Sequence, residues 1–233
     1  VTAADPPAPP CSPAPAEPLP AEHEPGLPAP SEAHGWPAPL RDPAVLLDQV
    51  RRTWGGQSPL WIFGYASLIW RPEFDAVEQR VAVVHGWHRA LEMSSRVNRG
   101  TPRRPGLVFA LVSGGSCRGM VYRVDPVRAE EELDRLWSRE MPTGVYDPRW
   151  LPCRTPQGPV TALAFTLSRR SPNYTGPIAD PAMVGILRDA CGRYGTTLAY
   201  LAETARCLAR HGIRDREIER LMQLARDHGL IDG

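Results

Sequence analysis

The chain has 233 residues, 27 basic side chains against 26 acidic ones, a net charge of +1, and 27 prolines. So even a balance excludes bulk electrostatic attraction to nucleic acid or to an anionic membrane surface, and no apolar run reaches the ~20 residues that span a bilayer. The length suffices for one good-sized core, or for one domain with a tail.

The N-terminus has no basic segment leading into an apolar stretch, so it does not read as a secretory signal. The five cysteines, Cys11, Cys117, Cys153, Cys191 and Cys207, are odd in number. None lies in a C-x-x-C pair or at zinc-finger spacing from histidines. They read as free thiols in a reducing cytoplasm; Cys117, in Gly-Gly-Ser-Cys-Arg-Gly, is the one candidate for a reactive thiol, against a small buried side chain.

Residues 1–43 hold roughly half of the 27 prolines and almost no aliphatic periodicity. Such a composition cannot bury enough apolar surface to offset its chain entropy, so a disordered, partly polyproline-like tail is expected, with the folded domain over 44–233. The first methionine is Met93. The start therefore reads as an alternative start codon or as one assigned too far upstream, with the tail dispensable in either case.

Asp42-Pro43 is a helix start, an N-cap followed by proline at the first helical position. Val45, Leu46, Leu47 and Val50 run from it toward Trp54, and Gly55-Gly56 ends it. Leu60-Trp-Ile-Phe63 is then a continuous apolar run of the kind a buried strand shows. Gly64 interrupts it, and Ser67 is placed to cap a short helical turn through Leu68, Ile69 and Trp70. In a strand–loop–turn of this kind the N–H groups from about Tyr65 to Leu68 lack partners within the element and can receive a carboxylate or a polarised carbonyl. An ordinary turn after a buried strand fits the spacing equally well.

Gln79–Met93 is rich in strand formers, with a bulge or bend at Gly86. His85 and His88 read as sheet histidines, because no carboxylate or cysteine cluster accompanies them. Ser94–Gly106 is a basic loop carrying Arg96, Arg99, Arg103 and Arg104, either a solvated turn or a patch that attracts an anion. Leu107–Val112 and Arg118–Val124 read as the strands of a hairpin around Ser113-Gly-Gly-Ser116. Asp125-Pro126 opens a helix whose stripe is Leu133, Leu136 and Trp137. A step of three or four residues further along that stripe is Glu140. Set against Trp and Leu side chains at a helix C-terminus, a carboxylate is desolvated and its pKa rises, which suits proton transfer. The competing reading has Glu140 turned to solvent, or paired with Arg139 or Arg149. Strands follow at Trp150–Arg154 and Val160–Leu167, and helices over about Asp180–Tyr194, Thr196–Ala209 and Asp215–His228. No internal repeat is present.

Phe63-Gly-Tyr-Ala-Ser-Leu-Ile-Trp-Arg-Pro72 resembles the opening of the ChaC family of γ-glutamylcyclotransferases, with its strand and Tyr-Gly-Ser-Leu loop. The likeness continues through Arg99-Gly-Thr-Pro102, Arg104-Pro-Gly-Leu-Val-Phe-Ala-Leu111, Gly119-Met-Val-Tyr-Arg123 and Leu136-Trp-Ser-Arg-Glu-Met141. It extends to Gly144-Val-Tyr146, Pro172-Asn-Tyr-Thr-Gly-Pro177 and Gly192–Leu201. The resemblance implies an α+β fold, a mixed β-barrel flanked by helices. It also implies a lyase reaction: glutathione to 5-oxoproline and cysteinylglycine, with no cofactor or metal. Glu140 matches the family's catalytic glutamate. Ile62, Phe63, Gly64, Tyr65, Ala66 and Ser67 match the segment that holds the γ-glutamyl group, and Tyr174 matches a tyrosine near the substrate. Ala66 departs from the family's usual glycine, which would add steric cost if that position required a positive φ. Glutathione is the expected partner, with no nucleic acid or membrane, and the sequence identifies no specific protein partner. The alternatives are a cyclotransferase for other γ-glutamyl peptides or amines, and a non-enzymatic binder of the same fold.

Overall fold

The computed structural model describes residues 41–232. The expectation for the proline-rich tail lies outside them over 1–40. In chain order the elements are α1 (Pro43–Trp54), β1 (Trp61–Gly64), α2 (Ser67–Trp70), β2 (Ala76–Ser95), β3 (Gly106–Val124) and α3 (Ala129–Glu140). There follow β4 (Asp147–Thr155), β5 (Gly158–Thr166), α4 (Asp180–Asp189), β6 (Cys191–Gly192), β7 (Gly195–Thr196), α5 (Thr197–Arg210) and α6 (Arg216–Asp227). Strands β1 to β5 close into a barrel in the order β1-β3-β2-β4-β5, and β6-β7 is a separate two-stranded sheet. The apolar run that opens the domain is fully enclosed: β1 pairs antiparallel with β3 on one side and parallel with β5 on the other. This is the barrel-and-helix α+β architecture expected from the resemblance.

Two expected elements take a different form. The Gly114-Gly115 stretch is no hairpin turn, because β3 runs unbroken through it. His85 pairs with Ser116 and Trp87 with Ser113, so Gly86 stands opposite two residues in a bulge. Gly86, Gly114 and Gly115 have φ of 80°, 106° and 70°, and these glycines bend the long β2–β3 ribbon where it wraps around the barrel. The reversal is made instead by the basic loop 96–105. Its neck is so tight that a Cβ on Gly100 would lie 2.0 Å from the Gly106 nitrogen. The expected helix 180–194 stops at Asp189, and β6-β7 docks on the same loop through Arg193 N–H to Val97 O (2.8 Å) and Tyr194 N–H to Asn98 O (2.9 Å). A Cβ on Gly192 would sit 2.5 Å from Val97 O, so glycine there permits the approach.

The helices cover the barrel as their stripes require. Leu133, Leu136 and Trp137 of α3 are buried, as are Tyr200, Leu201 and Leu208 of α5 and Ile218 and Leu221 of α6. Cys117, Cys153 and Cys207 are buried free thiols. Cys191 is disulfide-bonded, which corrects the free-thiol expectation for that residue.

A buried cation ties the barrel to the last helix. The Arg89 side chain on β2 is 1% exposed and pairs with Asp215, whose other oxygen caps α6 by accepting from Glu217 and Ile218 N–H (3.1 and 3.2 Å). The same guanidinium donates to Arg118 O on β3 at 2.6 Å and to Tyr65 O just past β1. Removing one partner of a buried pair leaves the other uncompensated, so Arg89→Met should destabilise the protein by about 3–5 kcal/mol in urea unfolding. A loss below about 1 kcal/mol, the range of exposed pairs, would show that the strut carries no stability.

Candidate active site

The stripe of α3 delivers Glu140 as the last residue of the helix, and Met141 N–H closes that turn on Trp137 O at 2.8 Å. The Glu140 side chain is 14% exposed, and Oε1 is 3.0 Å from Arg139 Nε. It therefore does not turn to solvent, and of the two arginines named as partners Arg139 is the one that meets it. Arg139 is itself fixed, donating to Ser67 Oγ and to Pro72 O (both 3.3 Å) and to Arg71 O, and pairing with Glu73 at 3.3 Å. One guanidinium thus holds the end of α3 against α2 and the turn behind it. That turn contains Glu73 at φ 57°, the only non-glycine with positive φ among the described residues. A left-handed residue of this kind persists where its surroundings hold it, and here Arg71 and Arg139 grip its carboxylate.

Glu140 opens onto a small cleft lined by Tyr65, Ala66, Ser67 and Leu68 on the loop side, with Phe109, Tyr146, Phe165 and Tyr200 completing the walls. Burial raises the Glu140 pKa, Arg139 opposes that rise, and the Glu73 carboxylate adds to it. Desolvation also raises the phenols of Tyr65, Tyr146 and Tyr200, which keeps them protonated. Tyr65 donates to Phe165 O at 3.0 Å. Tyr200 Oη accepts from Phe109 N–H at 3.3 Å, and its own proton has no acceptor among the described residues.

The loop differs in detail from its sequence reading. Ser67 is the first residue of α2, and Ala66 occupies the N-cap position. Ala66 has a φ of −145°, so this site does not demand the positive φ that would penalise alanine. Ile69 N–H bonds to Ala66 O and Arg71 N–H to Ser67 O, both at 2.8 Å. The N–H groups of Ser67 and Leu68 begin the turn and have no carbonyl four residues back within it.

Of the residues matched by resemblance, Glu140, Tyr65, Ala66 and Ser67 meet in the cleft. Ile62 and Phe63 are fully buried in β1 behind it, and Gly64 brings the strand end close to Leu68, where a Cβ would lie 3.3 Å from the Leu68 Cβ. Tyr174 is not brought to the cleft. It forms an isolated bridge with Met93 and packs on a second apolar cluster with Val145 and Leu167. Sequence reasoning missed Phe109, Tyr146, Phe165 and Tyr200, and named Leu68 only through its N–H group. Tyr146 and Tyr200 fall inside motifs quoted for the resemblance, but periodicity assigns them no role, since the barrel alone brings them together.

The ChaC-like protein family model matches residues 60–228. The chain belongs to the ChaC-like family. It is 36% identical over 160 residues to the glutathione-specific γ-glutamylcyclotransferase of Escherichia coli K12, covering 68% of this chain and 69% of that one. It is 33% identical over 182 residues to glutathione-specific γ-glutamylcyclotransferase 1 of Mus musculus, covering 75% and 81%. Among solved structures, the yeast γ-glutamylcyclotransferase specific to glutathione aligns with a TM-score of 0.65 at 20% identity, over 73% of this chain and 97% of that one, and shares its fold.

The raised Glu140 pKa makes a stability prediction for this ChaC-like domain. The folded state binds the Glu140 proton more tightly than the unfolded state does. The associated stability is complete below the unfolded carboxyl value, about pH 4, and is lost as pH rises through the folded value. Glu140→Gln removes the buried charge while Arg139 keeps its other acceptors. The variant should therefore melt above wild type at about pH 8, with the gap shrinking toward about pH 4. A gap independent of pH would contradict the assignment.

Proposed function

We infer that this chain is a glutathione-specific γ-glutamylcyclotransferase, a lyase that releases 5-oxoproline and cysteinylglycine. The observation that carries the reading is a desolvated carboxylate, Glu140, facing the Tyr65–Leu68 loop across one small cleft. It is supported by the glutathione-specific relatives that match most of the chain.

The substrate supplies its own nucleophile. The glutamyl α-amine must be neutral to attack, so Glu140, as carboxylate, takes the ammonium proton. The amine nitrogen then bonds to the γ-carbonyl carbon, and the carbonyl electrons move onto oxygen. Collapse of that oxyanion breaks the bond to the cysteinyl nitrogen, which takes up the proton that Glu140 returns and, through the same carboxylate, the one the ring nitrogen gives up as it becomes the lactam amide, so cysteinylglycine leaves as an ammonium. The raised pKa is useful in both halves, because the group must accept and release a proton near neutrality. The N–H groups of the loop, with Tyr65, Ala66 and Ser67, receive the folded γ-glutamyl group and stabilise the oxyanion. Holding amine against carbonyl makes five-membered ring closure an intramolecular step. Ser67 accepts a hydrogen bond from Arg139 and has no histidine beside it in the cleft, so it serves as a positioning donor and not as a nucleophile.

The test is 5-oxoproline release from glutathione by wild type beside Glu140→Gln, which keeps the shape and removes the base. Wild type should turn over, and the variant should lose about 10²–10⁴-fold in kcat. Undiminished turnover by the variant would remove Glu140 from the chemistry. If wild type releases nothing from glutathione but acts on γ-glutamyl dipeptides or amines, the substrate assignment is wrong and the reaction class stands.

A further inference from the structure

The basic loop 96–105 is not accounted for by the chemistry above, and the fold sorts its four arginines. Arg96, Arg103 and Arg104 are exposed, whereas Arg99 is half-buried. The Arg99 guanidinium carbon lies 5.1 Å from the ring centre of Tyr200, a wall of the Glu140 cleft. One guanidinium nitrogen, Nη1, donates to Tyr194 O. Its Nε and Nη2 have no acceptor, and no carboxylate pairs with Arg99, among the described residues. Arg89 and Arg139, the more deeply enclosed arginines near this cleft, both have carboxylate partners, Asp215 for the first and Glu73 and Glu140 for the second, so the missing partner at Arg99 is a local feature.

The backbone under Arg99 is rigid. Its N–H donates to Ser95 Oγ at 3.0 Å, its carbonyl accepts from Thr197 Oγ1 at 3.4 Å, and the Gly100, Gly106 and Gly192 contacts leave no room for a Cβ. Burial disfavours the Arg99 charge, and a second cation, Arg71, adds to that to a lesser degree. A guanidinium held in a fixed pose, partly stripped of water, beside a like charge and without a counterion is built to receive an anion. Its free edge presents donors in the fork that matches a carboxylate.

We propose that Arg99 is the receptor for the C-terminal carboxylate of the substrate. The enzyme then prefers γ-glutamyl peptides that end in a free carboxylate over those that end in an ester, an amide or a bare amine. This rests on the function inferred above and deepens it. The γ-glutamyl group occupies the loop and Glu140 end of the cleft, and the peptide extends past the Tyr200 ring to Arg99.

The test is a cycle with one change on each side, using wild type, Arg99→Met and Arg99→Lys against glutathione and its glycyl ethyl ester, with 5-oxoproline as the readout. Wild type should lose roughly 10- to 100-fold in kcat/KM on the ester, the cost of truncating a hydrogen bond to a charged group. Arg99→Met should lose a similar factor on glutathione and no longer distinguish the two substrates, most of the change falling in KM. Arg99→Lys should retain part of the discrimination, because it keeps the charge and loses the fork. Wild type that cleaves ester and acid equally well overturns the proposal whatever the variants do. A Met variant that loses equally on both substrates assigns Arg99 to the glutamyl end or to the loop's structure, and also overturns it. Failure of wild type to act on glutathione at all is a separate result, since it defeats the inferred reaction and this proposal with it.

Discussion

The structure is arranged around one costly placement, a carboxylate set among phenols and apolar side chains with little water. Burying a charge unpaired is prohibitive, and pairing it fully would hold it ionised and useless as a proton donor. Glu140 is held between those limits. Arg139 touches one of its oxygens, while burial and the Glu73 carboxylate push against ionisation. Arg139 is in turn shared among Ser67, two backbone carbonyls and Glu73, which dilutes its pull on Glu140. The cation that moderates the carboxylate also fixes the loop opposite it.

The rest of the fold keeps the two sides of the cleft in register. Burial of α3 along Leu133, Leu136 and Trp137 decides where its last residue points. On the other side, Arg89 holds the Tyr65 carbonyl and reaches Asp215 at the start of α6, so the loop leaves β1 in a pose that depends on the C-terminal helices. Barrel closure then brings Phe109 from β3, Phe165 from β5 and Tyr200 from α5 to one place. Rigid supports on all sides are what precise positioning requires.

Much of this was legible in the sequence where local pattern carries it. Asp42-Pro43 starts a helix as read, and the stripe of α3 runs on to Glu140, although the pattern alone leaves open a turn to solvent or a pairing with Arg139 or Arg149, and the pairing with Arg139 is present. The Leu60–Phe63 run did read as an enclosed strand. Errors arose where one local signal serves two geometries. Gly114-Gly115 supplies positive φ for a bulge as readily as for a turn, and only pairing with β2 across Gly86 decides between them. Asp180 to Tyr194 has a helical stripe, but docking of 191–196 on the 96–105 loop takes its end into a short hairpin. Tyr146 and Tyr200 were invisible as site residues because closure of the barrel, a contact over long sequence separation, is what places them. Tyr174 was drawn to the site by resemblance alone, and its backbone bridge to Met93 holds it on a neighbouring cluster.

The central claim is that burial shifts the Glu140 proton equilibrium upward while leaving the group able to ionise. The most direct measurement is a titration of carboxyl ¹³C shifts in protein labelled at glutamate, with Glu140→Gln identifying the resonance that disappears. The account predicts that this one carboxyl titrates above the ordinary glutamate range of about 4.3, and that replacing Arg139 with glutamine moves it higher still. A midpoint at or below the ordinary value would contradict the account, since a carboxylate so easily ionised would be a poor group to hand the proton back.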